Sequence, residues 1–329
     1  LNTNGVKQTA DAEICDRVTD WFDKKTGTDF VKETKKALSD LNVCAKKGLS
    51  ETFDSTIGAR SVYMPWGGRN QLTPAIAMAA KICGGETDVC TVSAYGYSPY
   101  LMETSPFVGA IYSIVASVSK VVATGARYED IRLTLQEFFE RMTSDKKVWG
   151  VPASALLGAV YAQIGLSLGA IGGKDSMSGT FEHIHVPPTL ISFALAPAKA
   201  SRLISNVLKG GEKVWRLPVP KDGQYVPDFE KLKALYREVY KNIANGNITF
   251  ATVAENGGAG AAVVKSALGN GVGFGFVQSA DELYTECYGD LLVSLQDETA
   301  FSAEIEKEYI GIANDSGKFT CGGESVSME

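Results

Sequence analysis

The stretch AIGGKDSMSGTFEHIHVPPTLISFALA, residues 170–196, decides how the chain is read. It opens on a short apolar strand, AIGG, and turns through Lys174, Asp175 and Ser176. It breaks at Pro187-Pro188 and resumes as a second apolar strand, TLISFALA. A strand that runs into the glycine pair Gly172-Gly173 leaves backbone N–H groups free to converge on an anion. Lys174 could neutralise that anion, and Asp175 could hold Mg²⁺. The order is not the phosphate-loop pattern G-x-x-x-x-G-K-[ST], because only one glycine pair precedes the lysine and Asp follows it. From spacing alone the motif is either a phosphate-gripping turn or a structural corner.

Working outward, SPFVGAIYSIVASVSKVVATGA (105–126) predicts a helix, with Ser105 as N-cap, Pro106 at the first helical position and Gly125 as the stop. Phe107, Ile111, Ile114, Val115, Val118 and Val122 form a wide apolar stripe suited to packing on a sheet. A second apolar helix is expected over 152–169, a strand over 130–136, and a helix over 228–246 with Gly246 as its C-cap. Later strands are expected at 273–277, 290–295 and 309–314, and a helix in GAGAAVVKSALGN. Alternating strands and helices imply an α/β or α+β protein in two layers.

Residues 1–50 are rich in Lys, Asp and Glu and read as a helical arm, with Phe30, Val31, Ala37, Leu38 and Leu41 at helical spacing. ARSVYMPWGG (59–68) reads as a strand that meets a turn at Gly67-Gly68. The breaks in SGTFEHIHVPP then place a boundary near 178–188. The expected organisation is an arm (1–50), an N-terminal domain (51–180) and a C-terminal domain (181–329).

Composition excludes several function classes. With 329 residues, 45% hydrophobic and 21% charged, the chain can bury a large core. A net charge of -6 argues against nucleic acid or an anionic membrane as the main partner. No uninterrupted apolar run reaches the roughly 18 residues of a membrane span. Six dispersed cysteines without a C-x-x-C pair, and two histidines, are poor material for zinc and fit free thiols in a reducing cytoplasm. Starting at Leu1, the sequence reads as a piece of something longer.

Other stretches carry weaker chemistry. In AENGGAGAAVVKSALG (254–269), Glu255 precedes Gly257 and Gly258, which open an apolar helix. That helix N-terminus either faces a ligand or uses its glycines for close packing. Asp54, Arg60 and Asp88 stand near strand ends, where a lone carboxylate is usually a cap. His183 and His185 could share a strand face and bind metal, but no third ligand lies nearby. With no G-x-S-x-G elbow joining a strand to a helix, since GLSLG (165–169) ends an expected helix, and with no activated cysteine, a self-contained hydrolase is not expected.

Four stretches, 53–82, 105–126, 131–140 and above all 170–196, resemble the second synthetase half of large phosphoribosylformylglycinamidine synthase, from about residue 35 to the end. The resemblance implies a two-domain aminoimidazole ribonucleotide synthetase-like fold. Its N-terminal domain would form a barrel-like interface with a partner half, and its C-terminal domain a mixed-sheet α/β layer. It implies an ATP-dependent, glutamine-using amidation of formylglycinamide ribonucleotide in purine biosynthesis, through phosphorylation of the amide oxygen, with ATP or ADP and Mg²⁺ as cofactors of the full enzyme.

By the same resemblance, Gly172, Gly173, Lys174, Asp175 and Ser176 line the ligand cleft. Arg60, Gly67, Gly68, Gly257 and Gly258 approach a nucleotide, and Asp88 and Glu255 would serve a metal. Two departures stand against a second, auxiliary nucleotide site. Where members that hold one show E-A-L-T-N, this chain has Ala116 to Lys120, ASVSK, and where they carry acidic residues before the glycines it has AENGG. That site is therefore expected to be degenerate, with Lys120 in place of a metal's charge, so that this chain binds no cofactor of its own there. The glutaminase domain and first half are expected as partners on other segments, and the lone fragment as inactive or self-pairing. Alternatives are a scaffold module with no ligand, and a free-standing kinase-like or cyclo-ligase relative.

Overall fold

The computed structural model describes residues 9–17, 20–52, 59–83, 86–223 and 225–328; Asp54 lies outside them. A 3-10 turn at Trp21–Asp23 precedes helices α1 (Phe30–Ser39) and α2 (Lys47–Ser50). There follow a small hairpin of β1 (Trp66–Gly67) and β2 (Thr73–Pro74), strands β3 (Met78–Lys81) and β4 (Val89–Gly96), and helices α3 (Pro99–Thr104) and α4 (Pro106–Ala123). Strand β5 (Arg132–Phe138), helix α5 (Lys146–Leu166), β6 (Ala170–Lys174), the hairpin β7 (Thr180–Phe181) and β8 (Ile184–His185), and β9 (Thr189–Lys199) complete the first domain. The second comprises β10 (Lys213–Leu217), α6 (Phe229–Ala244), β11 (Ile248–Val253), α7 (Gly258–Leu268), β12 (Gly273–Phe276) and α8 (Ala280–Tyr284). It ends with β13 (Leu291–Leu295), β14 (Glu308–Asn314), β15 (Lys318–Cys321) and β16 (Glu324–Ser327).

Each domain is a mixed sheet: the first carries its helices on one face, while the second is covered on both, by α4 and α6 on one side and α7 on the other. The first sheet has the order β3-β4-β9-β5-β6, antiparallel except for the parallel pair β5–β6. The second has the order β11-β13-β10-β14-β12-β15-β16. Strand β9 pairs along its length with both β4 and β5, so the first domain runs through Lys199 and the boundary expected at 180 falls too early. The Pro and Gly breaks at 178–188 mark a loop between strands of one sheet.

Helix α4 is the centre of the molecule. The Ser105 hydroxyl accepts from Val108 N–H, Pro106 occupies the first position and Gly125 (φ 109°) ends it, as the sequence predicts. Its neighbours are β4 and β9 on one side and α5 on another, so all 18 residues are buried and the expected stripe is a full circumference. By length and composition α4 and α5 would each pass as a membrane span, which corrects the expectation of no such run; α4 is wholly inside the protein. Helix α5 starts at Lys146, earlier than expected, because Asp145 caps Lys147 N–H and the helix tolerates Pro152 within it.

Glu13, Cys15, Asp16 and Phe22 of the N-terminal segment lie against α4 and α5 of the first domain, and α1 is docked on the second. Thr34 Oγ1 lies 2.6 Å from the Tyr284 hydroxyl, and Phe30 stacks edge-on against Phe276. Leu41, counted into the apolar stripe, is exposed. The stretch 59–68 yields little strand beyond β1, with Val62 N–H bonded singly to the Ala79 carbonyl.

The face of the first sheet away from α4 carries a patch of exposed apolar side chains. Tyr95 and Phe193 are cross-strand partners, as are Ser93 and Leu195, and Tyr95, Phe193, Leu195 and Met78 are 39% to 62% exposed.

Candidate functional site

Two constellations hold the residues that the sequence singles out. The first is the free edge of the first sheet. Strand β6 pairs only with β5, so Gly172, Gly173 and Lys174 present an open backbone edge, and all five β6 residues are exposed. A Cβ on Gly173 would lie 2.5 Å from the Leu135 carbonyl, so that glycine is required by the pairing; a Cβ on Gly172 would meet nothing within 4 Å. The Lys174 ammonium, bonded to the Asp175 carbonyl, stands at the surface. Ser176 ties the turn back to β5: its N–H donates to Glu137 O and its carbonyl accepts from Phe139 N–H.

Glu137, which the sequence reading missed, lies half-buried under this turn. Burial pushes its carboxyl up to about 7, with Asp175 adding to the rise. Lys174 pairs with Gln136, the neighbour of Glu137, so an exposed lysine stands beside a carboxyl whose charge burial disfavours, which suits an anionic ligand; exposed Asp175 has Glu137 near it but no third ligating side chain among the described residues.

The second constellation is the seam between the domains. Lys120, deep on α4, places Nζ 2.6 Å from Glu255 Oε1 and donates to the Tyr95 carbonyl at 2.9 Å, over the Tyr95 ring. Burial would raise the Glu255 carboxyl, but the ammonium groups of Lys120 and Lys265 hold it below the usual carboxylate range. Burial likewise pushes Lys265 down, with Glu255 opposing. Beside the pair, Tyr288 hydroxyl donates to the Tyr97 carbonyl and accepts from Tyr97 N–H, and Ser98 hydroxyl donates to Asn256 Oδ1. Tyr95, Tyr288 and Lys265 were not legible as site residues, since their partners are far away in sequence.

The glycines that open α7 serve packing. Gly258 has φ 67° and a Cβ there would lie 2.6 Å from the Leu283 carbonyl, while Gly257 is covered by Ala37 and Val43. Gly257 N–H donates to Glu286 Oε1 at 3.4 Å. Gly67 and Gly68 press the β1–β2 hairpin onto Val207 and Gly269. Arg60 reaches the Ile82 carbonyl. Asp88 accepts from Ser201 N–H and Oγ, capping the turn Ala200–Arg202, and those bonds hold its carboxyl low. Each of these residues has a local structural partner; the nucleotide and metal roles that the resemblance implies for them are a separate proposal.

His185 pairs with Glu140 at 2.8 Å, while His183 sits in the turn between β7 and β8, so the two do not share a strand face. Among the described residues no group of three or more His, Cys, Asp or Glu could hold a metal. All six cysteines are free.

No protein-family profile matches the chain, and no curated protein sequence does. Solved structures do. Thermotoga maritima PurL complexed with ADP superposes at TM-score 0.66 with 12% identity, covering 90% of this chain and 50% of that one. Phosphoribosylformylglycinamidine synthase II from the same organism gives 0.59 and 13%, covering 90% and 53%. AaThiL complexed with AMPPCP and TMP gives 0.53 and 13%, covering 77% and 88%. The chain spans 40% to 53% of the Thermotoga chains it matches. It has the aminoimidazole ribonucleotide synthetase-like fold of these proteins.

Proposed function

We propose that the chain is the second synthetase half of a cytoplasmic, glutamine-using phosphoribosylformylglycinamidine synthase, an ATP- and magnesium-dependent ligase of purine biosynthesis. The carrying observation is the exposed β6 edge: of the residues that the sequence resemblance assigns to the ligand cleft, Gly172, Gly173 and Lys174 lie on that open edge, and Asp175 and Ser176 follow in the turn that leaves it. The fold supports the reading, and so do neighbouring PurL structures complexed with ATP and with FGAR. Since the chain spans about half of those proteins, the remaining catalytic groups and the glutaminase would come from other segments. The apolar outer face of the first sheet is where a partner half, or a second copy of this chain, would pair with it.

Isothermal titration with formylglycinamide ribonucleotide tests this. Binding is expected, and Lys174→Ala should weaken it about tenfold, the loss of one charge-assisted contact. Absence of binding, or indifference to Lys174→Ala, would overturn the reading. The closed seam favours a second reading as a scaffold module, which predicts silence toward the ribonucleotide.

A further inference from the structure

Lys120 is the single charged side chain on a helix of 18 residues, all buried. Its side chain is 3% exposed, and its ammonium contacts a carboxylate from the second domain and a carbonyl and ring from the first. We infer that the Lys120–Glu255 pair is a metal-free latch, in which the chain supplies from its own helix the positive charge that a bound divalent cation would bring to this domain junction. The contrast with cation-bearing members rests on the ligase reading above; the latch itself rests on the geometry.

A dication at such a junction neutralises a carboxylate from one side and takes carbonyl lone pairs from the other. Lys120 does both, with Glu255 Oε1 at 2.6 Å and Tyr95 O at 2.9 Å. Magnesium requires about six oxygens in near-octahedral array. Around Glu255 the structure offers ammonium groups, from Lys120 and Lys265, which would repel it, and Ala116 one turn back on α4 brings no oxygen. The Lys120 end of the pair is closed, and Glu255 keeps a quarter of its side chain exposed. Gly257 lies under Ala37 and Val43, and its N–H already meets Glu286. On either side the Tyr97–Tyr288 and Ser98–Asn256 bonds join the same two domains, so the ion pair is one link in a polar row across the seam.

The experiment is thermal denaturation of the full chain. For the wild type, magnesium chloride and EDTA should give melting temperatures within about 1 °C of each other, because no cation is bound only in the folded state here. Lys120→Met and Glu255→Leu should each lower the melting temperature by about 6 °C or more, since the first leaves Glu255 only Lys265 as counter-charge and the second leaves Lys120 buried without its carboxylate. The double variant should recover most of that loss, as apolar pairs replace buried ion pairs. Two results would overturn the latch: a magnesium stabilisation of the wild type that Glu255→Leu abolishes, or a double variant as damaged as the sum of the singles. If a single variant does not fold, the wild-type comparison and the double variant still decide. Ribonucleotide binding is read separately, so loss of the latch leaves the ligase reading standing, and the reverse.

Discussion

At the scale of single residues, the departure from the pattern that the resemblance implies marked Lys120, and physics explains it: a lone cation in a wholly buried helix needs a counter-charge. Its partner Glu255 was legible as an acidic residue before a glycine pair, but only the fold brings the two together. Glu286 was not legible at all. Its Oε2 is buried without a hydrogen-bond partner, and burial pushes its carboxyl up to about 7. The folded state therefore keeps a proton that the unfolded chain releases, so this group's contribution is intact at low pH and is lost as pH rises through about 7. Denaturant titrations at pH 5 and pH 8 should show Glu286→Gln relieved of that loss, by up to roughly 3 kcal/mol at the higher pH. An identical pH slope in variant and wild type would remove Glu286 from the account.

At the scale of elements, α4 was readable because its ends carry their own signals and its interior is apolar on every side. Ser105 is fully buried while its hydroxyl caps Val108 N–H, so Ser105→Ala should cost about 1–2 kcal/mol in chemical denaturation. Strands β10 and β11 went unread. KVWRL and ITFATV are short runs without clean alternation, and β11 is buried at five of six positions, a pattern that neighbours in the sheet impose. The motif at 172–176 stood out, yet its spacing alone read closer to a structural turn than to a ligand loop; the unpaired β6 edge is a property of strand order, which no local pattern encodes. The glycine pairs at 67–68 and 257–258 read two ways for the complementary reason, because close backbone packing and phosphate binding demand the same residue.

At the scale of the whole molecule, two mixed sheets are joined through α4 and the polar seam, and one apolar sheet face is left uncovered. The isolated chain is expected to bury that face by self-pairing, seen as a dimer in light scattering at tens of micromolar, and Phe193→Glu should return it to a monomer. A wild-type monomer would contradict this. The two-domain plan was readable from sequence, but its boundary was not, because β9 returns across the break at Pro187-Pro188 to the middle of the first sheet. The most direct measurement is hydrogen–deuterium exchange of the chain with and without formylglycinamide ribonucleotide. The account predicts protection in peptides spanning Gly172–Ser178 and no change over Glu255–Gly260; an unprotected motif, or protection at the start of α7 instead, would contradict it.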